Sequence, residues 1–329
     1  MKGYKGFGPG MVCKGFGDCG PYSKEYKENT TYEEPNAVIC RSGMHFCENP
    51  LDVLDYYPLL DDDAKPNEFA EVEALADVHT DDNEKYCTTK LHVGAKLDLK
   101  GFIKASVDFM MEKANKTRKK DPSQLAVSGD YSQLAASGNY SKLAASGYCS
   151  NLAASGDYSQ LAASGYYSQL AASGNYSKLA ASGYYSKLAA SGYYSKLAAS
   201  GNYSKLAASG YYSQLAVSGD YSQLAASGDY SQLAASGDYS QLAVSGDYSQ
   251  LAVSGNYSQL AANGKYSIAA GIGINNIAKA AEGCWIVLAE WECRDGIYIP
   301  KTVKAAQVDG EKIKADTFYK LENGEFTEV

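Results

Sequence analysis

Residues 203–220, Tyr-Ser-Lys-Leu-Ala-Ala-Ser-Gly-Tyr-Tyr-Ser-Gln-Leu-Ala-Val-Ser-Gly-Asp, hold two copies of a nine-residue unit. The unit recurs sixteen times without an insertion between Pro122 and Lys265. Leucine falls at every ninth position from 125 to 260, and glycine at every ninth position from 129 to 264. A fixed short period is typical of repeat architectures, so this stretch decides the fold class.

Numbered 1 to 9 from its tyrosine, the unit has the spacing of a β-strand. A larger aliphatic residue replaces alanine only at position 6, two residues after the leucine, and the four replacements are Val127, Val217, Val244 and Val253. Side chains two apart share one face of a strand, so positions 2, 4 and 6 should point inward and positions 1, 3 and 5 outward. The Ser-Gly-X-Tyr step between units has turn chemistry. A helix is disfavoured because it would place successive leucines on opposite sides.

Two units placed back to back can bury their leucines, which predicts a parallel β-solenoid with about 18 residues per coil. Sixteen units then give eight coils and a length of roughly 38 Å. The predicted core is a spine of leucines, represented by Leu134, Leu170, Leu206 and Leu242. The inward serine hydroxyls should hydrogen-bond along the stack or to the turns, since an unpaired buried hydroxyl costs about 1–3 kcal/mol.

The outward residues predict ladders of identical side chains. Tyrosines at position 1 should stack, one ladder on each face. Lysine at position 3 and tyrosine at position 9 cluster in the middle of the array, and aspartate follows later at position 9. This middle region is the predicted interaction surface: Tyr167, Tyr176, Lys178, Tyr184, Tyr185, Lys187, Tyr193, Tyr194, Lys196 and Lys205.

The composition narrows the possible compartments and partners. The chain has 329 residues and a formal net charge of −8, with no basic stripe that would suit duplex nucleic acid. No apolar run reaches 18 residues, so we expect no membrane span, and the first residues do not resemble a signal peptide. Eight irregularly spaced cysteines then indicate reduced thiols in the cytoplasm. Cys40, His45 and Cys47 could hold a metal, but their spacing matches no paired-cysteine zinc pattern, so buried thiols and no metal are favoured.

The residues before the array predict an α+β domain over 1–99. Strands are expected at Tyr4–Phe7, Val12–Phe16, Ala37–Cys40, Phe69–Leu75 and Thr88–Val93. Asn49 followed by Pro50 predicts a capped short helix, with Leu51, Val53, Leu54 and Tyr57 on its apolar side.

Three further segments complete the predicted architecture. Residues 100–121 comprise a helix that caps the solenoid and a basic linker, whose basic run is 116–120. The solenoid covers 122–280, and Ile268, Ile272, Ile274 and Ile277 take over the leucine and alanine positions of its last coils. Residues 281–329 form a small antiparallel β module, with a strand at 285–291 and hairpin turns at Asp309-Gly310 and Asn323-Gly324.

The block from Gly43 to Tyr57, the strand at 69–75 and the stretch 91–107 resemble the N-terminal domain of an uncharacterised family of bacterial and phage proteins. Some members of that family carry similar serine- and glycine-rich arrays. The resemblance implies a shared domain over about 37–107 and no established activity.

The same block is also similar to the central part of ADP-ribosyltransferase folds. This likeness implies that Phe46 and Tyr56 or Tyr57 contact the nicotinamide of NAD, with Glu71 or Glu73 as the catalytic acid. The Ser-Thr-Ser strand of those enzymes is missing. Lys5 stands where they carry an arginine or histidine.

Two functional hypotheses follow. The leading one is a non-enzymatic structural or interaction protein that uses no cofactor, with a rigid solenoid that binds a protein partner or a second copy of itself. If the protein is phage-borne, interference with a host factor is a possible role. The alternative is an NAD-dependent enzyme whose solenoid holds the target. Ice binding and calcium binding are weaker hypotheses, because regular threonine rows and the second glycine of calcium-binding nonapeptides are missing.

Overall fold

A computed structural model describes residues 1–14, 23–39, 41–82, 84–115 and 124–329. The chain divides into two compact units, residues 1–109 and 110–329. The fold is mainly β, with an α+β first unit and a second unit made of a parallel β-solenoid and antiparallel strands that follow it. The predicted fold class is therefore confirmed.

The first unit is built on a seven-stranded sheet with strand order β4-β9-β6-β1-β5-β8-β7, beside a β2–β3 hairpin. A 3₁₀ helix spans Pro50–Asp55, and helix α1 spans Leu99–Asn115. The strands are β1 (Lys2–Phe7), β2 (Val12–Lys14), β3 (Ser23–Glu25), β4 (Thr30–Glu33), β5 (Met44–Cys47), β6 (Glu68–Ala74), β7 (Val78–His79), β8 (Lys85–Thr88) and β9 (Lys90–Leu97).

Some of the secondary-structure elements predicted for the first unit are present and others are not. The Asn49 side chain accepts a hydrogen bond from the Leu51 amide, so the predicted cap of the short helix is confirmed. The strand predicted over Ala37–Cys40 is wrong for its described part, which holds only an isolated bridge between Val38 and Ser42. The strand predicted over Thr88–Val93 is broken at Thr89, where β8 ends and β9 begins.

Apolar residues cover both faces of this sheet. On one face, Phe7, Phe46 and Val72 belong to a buried cluster. On the other, Phe69 of β6 stacks on Phe102 of α1, with ring centroids 4.3 Å apart. The alternation of side chains along β6 separates these two layers.

Each nonamer of the array contributes one four-residue strand, formed by positions 3 to 6. Strands from alternate units belong to two different sheets, so neighbours in one sheet are 18 residues apart. The first sheet contains β10 (Gln124–Val127), β12 (Lys142–Ala145), β14 (Gln160–Ala163), β16 (Lys178–Ala181), β18 (Lys196–Ala199), β20 (Gln214–Val217), β22 (Gln232–Ala235), β24 (Gln250–Val253) and β26 (Ile268–Gly271). The second contains β11 (Gln133–Ala136), β13 (Asn151–Ala154), β15 (Gln169–Ala172), β17 (Lys187–Ala190), β19 (Lys205–Ala208), β21 (Gln223–Ala226), β23 (Gln241–Val244), β25 (Gln259–Ala262) and β27 (Ile277–Ala280).

The strands are parallel and in register, so each leucine lies beside the leucine one coil away, as Leu206 does with Leu224. The predicted core leucines are buried: Leu134 is 2% exposed, and Leu170, Leu206 and Leu242 are 0% exposed. Burying a leucine side chain contributes about 1.5–3 kcal/mol, which makes this spine the main source of solenoid stability.

The inward serines find partners in the turns, as predicted. The Ser204 hydroxyl donates to the Gly201 carbonyl at 2.6 Å, three residues earlier. The Ser204 amide donates to the Ser222 hydroxyl of the next coil at 3.3 Å. The buried hydroxyl therefore serves both its own turn and the stack.

The last coils differ from the prediction. Ile268 pairs with Gln250 and Ile277 with Gln259, so both occupy position 3. The leucine position is taken by Ala269 and Ala278, which are buried. The register explains this outcome. The position of a residue in the repeat, and not the size of its side chain, decides whether it points inward.

The C-terminal strands continue the two sheets. They are β28 (Trp285–Arg294), β29 (Ile297–Gln307), β30 (Tyr319–Glu322) and β31 (Glu325–Glu328). β28 extends the first sheet and pairs antiparallel with β29 through a turn at Asp295-Gly296 that the sequence analysis did not identify. The predicted Asn323-Gly324 hairpin is confirmed, whereas Asp309-Gly310 begins a loop in which the Asp309 carboxylate accepts three backbone amides.

Candidate interaction surface

The turns between strands bring identical residues into close contact. A Cβ atom added at Gly201 would lie 2.2 Å from the Gly183 carbonyl oxygen of the preceding coil. Glycine is therefore required here for close approach of stacked turns. The left-handed conformation falls instead on the tyrosine at position 1, with a φ of 58° at Tyr203 and 61° at Tyr140.

This conformation costs an L-residue roughly 1–2 kcal/mol. Three contacts around Tyr203 offset that cost. The Tyr203 amide donates to the Asp220 carbonyl at 2.8 Å, and its ring stacks on the rings of Tyr185 and Tyr221. Aromatic stacking contributes about 0.5–1.5 kcal/mol for each pair. The stack therefore holds each tyrosine in a conformation that it rarely adopts alone.

The turns form two lines along the solenoid, which we call the first edge and the second edge. The first edge follows the strands of the first sheet, and its stacked ladder runs from Tyr167 to Tyr257. The second edge follows the strands of the second sheet, and its ladder runs from Tyr140 to Tyr266. The ladders thus lie on the turns and not on the outer faces of the sheets, which corrects the prediction.

Cys149 replaces tyrosine on the first edge and interrupts its ladder there. The Tyr148 ring, from position 9, meets the Tyr167 ring edge-on at 5.6 Å instead. The second edge has no such replacement from Tyr140 to Tyr266, so its ladder is the longer one.

The ladder rings stack face to face, and their residues remain partly exposed. The Tyr194 and Tyr212 rings are 4.8 Å apart, with a 4° angle between their planes. Each of these two residues remains 43% exposed. Loss of surrounding water, followed by the neighbouring Tyr239 and Tyr203, raises the pKa of the Tyr221 hydroxyl. Such a surface suits repeated hydrogen bonds and edge contacts better than stacking on a planar ligand.

Position 9 has two roles. Aspartate or asparagine at this position accepts the backbone amide of the same position one coil later, as Asp220 does from Asp238 at 2.9 Å. Asn202 accepts from Asp220 in the same way at 3.0 Å. Tyrosines at this position stack instead, and the Tyr193 and Tyr211 rings are 5.4 Å apart. The predicted turn role of the aspartates is confirmed, and their bonding along the stack was not foreseen.

The predicted interaction surface divides into two groups, because consecutive units belong to opposite sheets. Exposed Lys178 and Lys196 lie on the first sheet next to the second edge. Lys187 and Lys205 lie on the second sheet, and Lys187 is buried. The tyrosines divide in the same way: Tyr176, Tyr193 and Tyr194 belong to the second edge, and Tyr167, Tyr184 and Tyr185 belong to the first.

The residues of the transferase interpretation do not converge. Phe46 is buried in the cluster that contains Val72, whereas Glu71 and Glu73 alternate with Val72 along β6 and point to the other face. The Tyr56 ring lies below the Lys85 ammonium group, 4.5 Å from it. This arrangement gives the enzymatic interpretation no support.

The first unit also contains a buried lysine, Lys5, whose burial the sequence did not predict. The Lys5 ammonium group donates to the His45 carbonyl at 2.8 Å and lies about equally far from the Phe7 and Tyr26 rings, at 5.6 and 5.5 Å. Burial, followed by the positive charges of Lys5 and Lys85, lowers the pKa of His45 to about 4. These contacts stabilise Lys5 as a structural residue.

The possible metal site at Cys40, His45 and Cys47 includes Cys40, which lies outside the described residues. Among the residues that the structure describes, no three histidine, cysteine, aspartate or glutamate side chains gather closely enough to hold a metal ion. The basic run 116–120 also lies outside them. No helix in the described ranges is long and apolar enough to cross a membrane.

Comparison with known proteins is informative only for the first unit. Residues 1–105 match a family described as a domain of unknown function (DUF7666). This match agrees with the predicted shared N-terminal domain. No curated protein and no solved structure matches the chain.

Proposed function

We propose that the protein is a structural or interaction protein whose β-solenoid presents ladders of tyrosine, lysine, glutamine and aspartate for multivalent binding or self-association. The observation that carries this proposal is the pair of continuous tyrosine ladders. Their rings stack face to face, and residues such as Tyr194 and Tyr212 remain 43% exposed. In the described part of the chain, the two main grooves along the first sheet are lined by residues at positions 3 to 7 and not by ladder tyrosines, which argues for an extended contact surface at the ladders.

The spacing of the ladders supports multivalent contact. Equivalent groups recur at ring distances such as 4.8 Å between Tyr221 and Tyr239. Weak contacts that repeat at a fixed spacing reinforce one another, and their combined affinity can exceed a single contact by about 10²–10⁴-fold. Rigid presentation adds to this, because little side-chain freedom is lost on binding.

The hydroxyl groups are therefore the groups to remove. We expect the full chain to associate as its concentration rises into the high micromolar range, measured by sedimentation velocity. Replacing Tyr176, Tyr194, Tyr212 and Tyr230 by asparagine removes half of the second-edge ladder. Asparagine suits this turn, since Asn275 occupies the equivalent position with a φ of 53°.

The matched variant carries the same change on the first edge, at Tyr185, Tyr203, Tyr221 and Tyr239. Loss of association in one variant and not in the other identifies the binding edge. A wild-type chain that stays monomeric at every concentration excludes self-association. Association that is unchanged in both folded variants contradicts the proposal for the ladders.

A further inference from the structure

The charged side chains of the second edge follow an ordered pattern. We number the coils by their second-edge tyrosine, so that Tyr140 marks coil 1, Tyr212 coil 5 and Tyr266 coil 8. Six charged side chains lie on this edge, or at position 3 directly after it, in coils 2 to 8. They are Asp157 in coil 2, Lys178 in coil 3, Lys196 in coil 4, Asp229 in coil 6, Asp247 in coil 7 and Lys265 in coil 8.

Reversal of the coil order turns every charge in this series into its opposite. Coil 2 mirrors coil 8, coil 3 mirrors coil 7, and coil 4 mirrors coil 6. The signs in these pairs are negative with positive, positive with negative, and positive with negative. Coil 5 is the centre of the pattern and carries uncharged Tyr211, Tyr212 and Gln214. Lys142 in coil 1 and exposed Glu282 in the turn of coil 9 extend the same relation by one pair.

Within one chain, like charges are neighbours. Lys178 lies in register beside Lys196, and Asp247 donates its amide to the Asp229 carboxylate one coil below. Like charges on adjacent strands are destabilising. In the described part of the chain, none of the six side chains forms an ion pair. A partner of opposite charge order would relieve this repulsion.

We propose that the partner of the second edge is a second copy of this chain, antiparallel to the first and related to it by a two-fold axis through coil 5. This proposal rests on the proposed function of the ladders. In this arrangement Lys178 is level with Asp247 of the other copy along the solenoid axis, Lys196 with its Asp229, and Lys265 with its Asp157. The two-fold axis repeats each pair, so six opposite-charge pairs form.

The period of the ladder favours the same partner. A partner that follows the ladder needs groups spaced about 4.8 Å apart along the solenoid axis, which is the spacing of stacked β-strands. A second copy supplies that spacing, and its tyrosine hydroxyl groups can hydrogen-bond with those of the first. A parallel copy would match the spacing equally but would place every charge against its own sign. Charge order therefore selects the antiparallel copy.

The size of the contact predicts a weak dimer. A strip about 40 Å long and about 12 Å wide buries roughly 1,000 Å² in total, at the lower limit for specific complexes. The pairs lie at the surface, so salt screens them. We expect a micromolar dimer that weakens as ionic strength rises.

Charge exchange tests the register directly. One full-length variant carries Lys178→Asp and Lys196→Asp, and the other carries Asp229→Lys and Asp247→Lys. Each variant alone brings like charges together, and we expect its dimer dissociation constant to rise by about tenfold or more. An equimolar mixture restores all of the exchanged pairs, so a heterodimer of near wild-type affinity should form, measured by sedimentation equilibrium.

The control carries Asp220→Lys and Asp238→Lys, which are at the same turn position on the first edge. It loses the same kind of backbone contact and gains the same charge, and we expect wild-type association. Melting curves verify that each variant is folded.

Three results overturn the proposal: a wild-type monomer at low salt, unchanged association in both charge variants, or a mixture that does not recover. If association survives the charge exchange but is lost when second-edge tyrosines become asparagine, this register is wrong and the proposed function of the ladders stands. If the tyrosine variants also associate normally, both are wrong.

Discussion

The two units of this chain achieve stability in different ways. In the solenoid, one residue type meets the same neighbours coil after coil, as Leu206 meets Leu224. In the first unit, each buried group has an individual partner, as the Lys5 ammonium group has the His45 carbonyl. Each contact in the solenoid therefore depends on the correct stacking of the neighbouring coil. Each contact in the first unit depends only on its own partner.

The largest expected effect comes from the stacked glycines. Gly201→Ala would bring a Cβ atom to 2.2 Å from the Gly183 carbonyl oxygen, so the turns must separate. We expect a loss of about 3 kcal/mol or more in the free energy of unfolding of the solenoid, measured by denaturant titration.

Gly138→Ala is the matched control for this change. It alters the same position of the unit, but the nearest atom to the added Cβ is the Ser141 hydroxyl oxygen at 3.9 Å. We expect a change of less than about 0.5 kcal/mol there. Equal effects at Gly138 and Gly201 would show that glycine is needed for its backbone freedom and not for stacking.

Removing one buried leucine from each unit compares their cores. Leu206→Ala in the solenoid and Leu91→Ala in the first unit remove side chains that are each 0% exposed. Each should cost about 2–5 kcal/mol. Calorimetry should show that each substitution lowers the melting temperature of its own unit, and a single shared transition that shifts in both variants would contradict independent stability.

Acid should affect the two units differently, since all three histidines lie in the first unit. The pKa of His45 is lowered to about 4 in the folded state, below its usual value of 6.5. The unfolded chain therefore binds a proton that the folded chain refuses, and stability falls as the pH drops from about 6.5 to about 4. We expect the free energy of unfolding of the first unit to fall by about 1–3 kcal/mol, since the His45 side chain is only partly buried.

His45→Gln removes this titration. Melting of the first unit should then lose most of its dependence on pH between 6.5 and 4, while the solenoid transition stays as it was. An unchanged pH profile in the variant would assign the acid sensitivity to other groups.

The smallest expected effect comes from position 9. Asp220→Ala removes the carboxylate that accepts the Asp238 amide at 2.9 Å, and should cost about 1 kcal/mol. Asp220→Asn should be nearly neutral, because Asn202 already makes the same bond one coil earlier. Urea midpoints of the two variants measure the difference, and equal losses would mean that the charge matters and not the hydrogen bond.

The predictability of the fold also differs between the two units. Valine at position 6, and leucine two residues before it, identified the inward face because a strand repeats every two residues. The left-handed tyrosines escaped prediction, since single-residue preference assigns that conformation to glycine. Only the stacking of turns shows why glycine is needed at position 8 and tyrosine can be held at position 1.

In the first unit, local patterns were enough only where a side chain caps its own backbone. Asn49 before Pro50 did so, and the helix formed where expected. Val38 and Ile39 have strand preference, but Val38 forms only a bridge and Ile39 lies in a turn, because strand formation needs a partner that the sequence does not reveal. The predicted interaction residues divide between two edges, because the sheet that receives each unit decides the side on which its side chains lie.

Disulfide trapping tests the central claim, the in-register stack with an 18-residue coil, most directly. Gln214 and Gln232 are exposed partners on adjacent strands, about 4.8 Å apart, which suits a disulfide. With cysteine at both positions, mild oxidation should link them. Cysteines at Gln214 and Gln250, two coils apart at about 9.6 Å, should stay unlinked. A disulfide between 214 and 250, or none between 214 and 232, would contradict the stack on which both tyrosine ladders depend.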